Sequence, residues 1–86
     1  MIYVVFYAYD NSHAPSEVDL DKYTKVGTVK AGSLSEAMRK WREGNYIRCL
    51  GEHRPLLTGD LVRDQNDKYF IVSPLFQFAS VTLTSR

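Results

Sequence analysis

A single cysteine, Cys49, leaves nothing for an internal disulfide to join, so a reducing compartment is the expectation. Paired cysteines at zinc spacing are absent, and so are a P-loop, a Gly-x-Gly-x-x-Gly turn and a His-Glu-x-x-His helix. With those motifs go the nucleotide, dinucleotide and metalloprotease classes they define. No apolar run is long enough to span a bilayer. The opening Met-Ile-Tyr-Val-Val-Phe-Tyr-Ala-Tyr carries no basic residue ahead of it and alternates like a strand rather than a signal peptide. The expectation is a cytoplasmic chain with no membrane contact. Proline and glycine are scarce, at three and five residues, which sets the chain apart from low-complexity sequences. No cofactor is implied.

What is present fits one domain, residues 1–86, with a core large enough to fold without metals or disulfides. The net charge of +1 neither favours nor excludes nucleic acid, but its distribution is uneven. Residues 1–29 set Asp10, Glu17, Asp19 and Asp21 against Lys22 and Lys25. Residues 30–54 set six cations (Lys30, Arg39, Lys40, Arg42, Arg48, Arg54) against Glu36, Glu43 and Glu52.

Residues 33–44 carry the strongest local signal. Ser33 and Glu36 have the spacing of a capping box, and Leu34, Ala37, Met38 and Trp41 form one apolar stripe. Gly44 follows as a left-handed stop. Arg39, Lys40 and Arg42 occupy the opposite face. Ile2–Tyr9 reads as a central strand, since both of its faces are apolar or aromatic. Residues 10–21 read as a mobile polar loop. Tyr23–Lys30 reads as a second strand, with Gly27 at a bulge. Asp64-Gln-Asn-Asp67 joins two hairpin strands, and residues 77–84 alternate again. The order β-β-α-β-β-β predicts an α+β fold, a small and mostly antiparallel sheet with one amphipathic helix on one face. The expected core is Ile2, Val4, Phe6, Leu34, Met38, Trp41, Leu61, Phe70, Val72 and Val81.

The stretch Arg54-Pro-Leu-Leu-Thr-Gly-Asp-Leu-Val-Arg-Asp, followed by Lys68-Tyr-Phe-Ile-Val-Ser-Pro-Leu-Phe, resembles small accessory proteins of plasmids and phages. These place an Arg-x-Leu-x-x-Gly-Asp turn before a tyrosine-rich hairpin. The resemblance implies a mobile-element origin and an accessory role, such as inhibition of a host defence factor, without catalytic residues.

Three functional readings follow. Tyr3, Tyr7 and Tyr9, with Phe76 and Phe78 near an edge strand, form a candidate protein-binding surface, because tyrosine gives large contact area at low entropy cost. The same edge could pair with its copy in a homodimer. Arg39, Lys40 and Arg42 form a candidate track for nucleic-acid phosphates. His13 and His53, or Cys49 beside His53, are the residue types a small nuclease or a thiol nucleophile would need. Protein binding is the expected function, nucleic-acid binding the alternative, and catalysis the third reading.

Overall fold

A computed structural model describes residues 1–84; Ser85 and Arg86 lie outside the described residues. The chain runs β1 (Ile2–Ala8), β2 (Glu17–Val18), a single 3-10 turn (Leu20–Lys22), β3 (Tyr23–Lys30), α1 (Leu34–Arg42), β4 (Arg48–Cys49), β5 (Leu61–Arg63), β6 (Tyr69–Val72) and β7 (Phe78–Leu83). One sheet holds all seven strands in the order β2-β7-β6-β5-β1-β3-β4. Every pair is antiparallel except β2 with β7. The α+β class and the single helix on a mostly antiparallel sheet are as the sequence predicts. The sheet is not small, however, and its element order differs. Two-residue strands at 17–18 and 48–49 extend both edges, and neither is long enough to leave an alternating pattern.

β1 lies at the centre, between β5 and β3, as its two apolar faces require. Tyr3 and Val5 meet the helix side, packing with Val29, Ala37, Trp41, Leu56, Val62 and Val72. Val4 and Phe6 face the other way, into a second cluster with Val18, Leu61 and Ile71. The expected single core is therefore two cores, one on each side of the sheet. Ile2 is 38 % exposed and Phe70 belongs to neither cluster.

The segment 10–21 covers the second cluster and is not a free loop. Val18 is buried, Ala14 and Leu20 pack against the same cluster, and β2 hydrogen-bonds along β7. Asp10, Glu17 and Asp21 are exposed, so its composition reads as loop while Ala14, Val18 and Leu20 do the packing.

α1 begins where the capping signal puts it. Ser33 Oγ accepts from the Glu36 N–H at 3.2 Å, and Gly44 closes the end at φ +78°. Gly27 marks the bulge at which β3 shifts register against Val5 and Phe6. A methyl there would overlap the Arg48 carbonyl oxygen and sit 2.7 Å from the Trp41 ring, so the glycine lets the indole lie directly on the strand.

Candidate protein-binding site

The Arg-x-Leu-x-x-Gly-Asp turn is a structural clamp. Asp60 is fully buried, and its carboxylate accepts from five donors: Ala8 N (2.8 Å), Asn11 Nδ2 (3.0 Å), Leu57 N (2.8 Å), Arg54 Nη1 (2.6 Å) and Arg54 Nη2 (3.2 Å). A buried carboxylate persists only when paired and hydrogen-bonded, and here both conditions are met. The Arg54 guanidinium also lies 3.9 Å over the Tyr7 ring. Tyr7 Oη donates to Arg54 O (2.6 Å) and accepts from Arg54 N (2.9 Å) and Trp41 Nε1 (3.0 Å). Leu56 fills the helix-side core. Gly59 adopts φ +90° where any Cβ would meet the His13 carbonyl oxygen at 2.8 Å. One turn thus joins the end of β1, the covering segment and the helix.

The clamp holds Pro55, Leu56 and Leu57 against the C-terminal end of α1. There a groove of about 370 Å³ opens, lined by Met38, Arg42, Pro55, Leu56, Leu57 and Phe76. Phe76 comes from the β6–β7 turn, Ser73–Gln77. In this turn Phe76 N donates to Ser73 O (2.8 Å) and Ser73 N donates to Gln77 O (2.7 Å). Ser73 Oγ accepts from the Leu75 and Gln77 N–H groups at 3.3 and 3.2 Å. This is a type I turn closed by a left-handed residue, the position usually given to glycine. Phe76 takes it at φ +57° and remains 58 % exposed, beside Leu75 at 79 %.

The β5–β6 turn has the same hydrogen bonds, Asp67 N to Asp64 O (3.2 Å) and Asp64 N to Lys68 O (3.0 Å). Its left-handed residue is Asp67, at φ +61°. Aspartate tolerates that region, whereas a bulky side chain there is a conformational outlier. The two turns therefore share a backbone and differ in what they present to solvent.

The other candidate residues are dispersed. Tyr3 is buried in the helix-side core, and burial, then the charges of Asp64 and Glu36, push its phenol up. Tyr7 is half-buried and committed to Arg54 and Trp41. Only Tyr9, at 72 % exposure, faces solvent, with its hydroxyl accepting from Thr24 Oγ1 at 2.9 Å. The expected tyrosine surface does not form, because its first two members serve the core. Phe78 is half-buried against the helix-side cluster. On α1, Arg39 pairs with Glu43 (3.1 Å) and Lys40 with Glu36 (3.1 Å), each four residues apart. Among the described residues Arg42 has no carboxylate within 4 Å.

The residues proposed for catalysis do not converge. The His53 ring packs on Trp41 and Tyr46 with Nε2 hydrogen-bonded to the Trp41 carbonyl. His13 lines a separate polar groove of about 460 Å³ with Asp10, Glu17 and Tyr23. Cys49 Sγ points at Gly51 O (3.9 Å) rather than at an imidazole. Among the described residues no three His, Cys, Asp or Glu side chains are grouped to hold a metal ion. No helix of the described residues is long and apolar enough to cross a membrane.

Phe76 and Arg42 enter from separate expectations, a protein-binding surface and a phosphate track, and their local sequence does not place Met38, Pro55 and Leu57 beside them. One signal was available: Leu75-Phe76 stands between two strands, where turn chemistry calls for Gly, Asn or Asp. Comparison with known proteins gives no match, whether to a family model, a curated protein or a solved structure.

Proposed function

We propose that this chain is a non-catalytic protein-binding domain that seats an apolar segment of another protein in the groove between α1 and Phe76. The observation that carries the reading is Phe76 itself: a large aromatic side chain in a left-handed slot, exposed, beside an apolar groove. Strained residues concentrate where a surface is used. The groove is lined by one cation, Arg42, and otherwise by apolar side chains, so its complement is an apolar anchor with a carboxylate beside it. The accessory role, inhibition of a host factor on behalf of a plasmid or phage, rests on the resemblance of the 54–76 stretch to such proteins.

The test is selection of peptides from a displayed random library against the pure protein. Peptides with an apolar anchor beside an acid are expected, and Phe76→Gly and Leu57→Asp are expected to weaken them at least about tenfold. Failure to select any peptide, or full affinity in both variants, would contradict the reading.

A further inference from the structure

The chain has two methionines, and only Met38 lines the apolar groove. Met38 is half-buried on α1, where its side chain also packs against the helix-side cluster. The rest of the lining is Arg42, Pro55, Leu56, Leu57 and Phe76. None of those side chains changes polarity on meeting a peroxide. A thioether does, because oxidation turns a flexible apolar sulfur into a polar sulfoxide. Met38 is therefore the one point at which oxidant chemistry reaches the groove wall. Met1, 51 % exposed, and Cys49 both lie outside the lining and serve as internal controls.

Position adds a second consequence. Residues four apart on a helix share a face, with Cβ atoms about 5–6 Å apart, so Met38 stands beside Arg42. Arg42 is exposed, and among the described residues it has no carboxylate within 4 Å. Its guanidinium offers N–H donors in a fixed fork, and a thioether is too weak an acceptor to hold it. A sulfoxide oxygen on the same side chain is a strong acceptor within reach of that fork.

We infer that Met38 is a redox switch on the groove, closed by a peroxide and reopened by methionine sulfoxide reductase. The sulfur lone pair attacks one peroxide oxygen, and the O–O bond breaks as the S–O bond forms. The released oxygen takes a proton and leaves as water or an alcohol. Sulfur is oxidised by two electrons and the peroxide is reduced by two. The product puts an oxygen on the apolar wall and engages Arg42, which is then withdrawn from the carboxylate of the bound segment. This rests on the protein-binding reading above and specifies its regulation.

The test treats the pure protein with hydrogen peroxide, removes it, and measures selected peptides that lack Met, Cys and Trp. Mass spectrometry should find one added oxygen on Met38. Peptide affinity should fall at least about tenfold while the thermal transition stays cooperative. Methionine sulfoxide reductase should restore it, which separates Met38 from any oxidation of Cys49. Met38→Leu conserves volume, so it should bind like the parent and ignore peroxide. In Arg42→Gln, peroxide should lower affinity by a smaller factor than in the parent. An equal factor there would overturn the capture of Arg42. Three results would overturn the switch and leave the groove reading standing: Met38 staying reduced while Met1 is oxidised, full affinity with Met38 oxidised, or the same loss in Met38→Leu. Loss of the cooperative transition on oxidation would overturn it as well, by making the effect one of folding. Failure to select any peptide would overturn both readings.

Discussion

Asp60 concentrates more structural consequence than any other single side chain in the molecule. Its carboxylate is the shared acceptor for β1, the covering segment, the 54–60 turn and the Arg54 guanidinium. Truncation would leave those donors unpaired and Arg54 without its counter-charge. Asp60→Ala is expected to lose about 3–5 kcal/mol, a large part of what a domain this size has, as chemical denaturation would measure. The Arg-x-Leu-x-x-Gly-Asp motif is thus accounted for residue by residue as stabilisation.

Titration adds a second expectation at this scale. Asp10 is held below its ordinary 3.8 by the Ser12 hydroxyl and N–H, and Glu36 below 4.5 chiefly by its hydrogen bond with Lys40. Their folded forms bind fewer protons than the unfolded chain in acid. That contribution is complete above about pH 5 and fades as pH falls through those values. Tyr3 and Tyr23 are held above 10.0, first by burial and then by nearby carboxylates. Their contribution is complete below pH 10 and is lost as pH rises past it. Melting temperature against pH should therefore show a plateau that declines at both ends, with Asp10 and Glu36 adding only a small, solvent-screened part of the acid decline.

At the scale of elements, the two hairpins form an internal comparison. Both turns close through a left-handed residue, Asp67 in one and Phe76 in the other. Replacing each by glycine separates the demands of the backbone from those of the surface. Phe76→Gly is expected to stabilise the fold by about 1 kcal/mol, which in a domain of this length raises the melting temperature by about 4–8 °C. Asp67→Gly is expected to change it by only a few tenths of that, since aspartate already tolerates the slot. Thermal melts of the two variants side by side check this.

The helix shows what sequence makes legible at this level. Ser33, the Leu34-Ala37-Met38-Trp41 stripe and Gly44 act within one or two turns of themselves, and each holds its expected place. β2 and β4 could not be read, because two-residue strands exist only through the neighbours they pair with. The face assignment of β1 could not be read either. Both of its faces are apolar, and the choice is made by distant partners: Trp41 and Leu56 claim Tyr3 and Val5, while Val18 and Leu61 claim Val4 and Phe6.

At the scale of the whole molecule, one central sheet is covered twice, by the helix with Tyr46 and Leu56 on one side and by residues 10–21 on the other. Forming both covers uses most of the aromatic side chains that the sequence offers for binding. Tyr3, Tyr7 and Phe78 are inside or half inside. The exposed apolar side chains include Leu57, Leu75 and Phe76, of which Leu57 and Phe76 line the apolar groove. Only two members of the candidate site, Phe76 and Arg42, converge there; the groove itself depends on contacts between α1 and the 54–60 turn, which lie far apart in sequence. Charge is arranged to the same effect. With Arg39 and Lys40 paired to Glu43 and Glu36, α1 offers no continuous basic track. Fluorescence anisotropy with labelled DNA and RNA is expected to stay flat at low salt; tight binding that falls steeply with salt would instead favour the nucleic-acid reading.

Phe76 is proposed to hold its left-handed backbone, at a conformational cost, for the contact its exposed ring makes. The most direct test is the stability of Phe76→Gly together with its affinity for a peptide selected on the parent protein. Phe76→Gly should be the more stable protein and bind that peptide at least about tenfold more weakly. A variant that is less stable, or that binds as well as the parent, would contradict it.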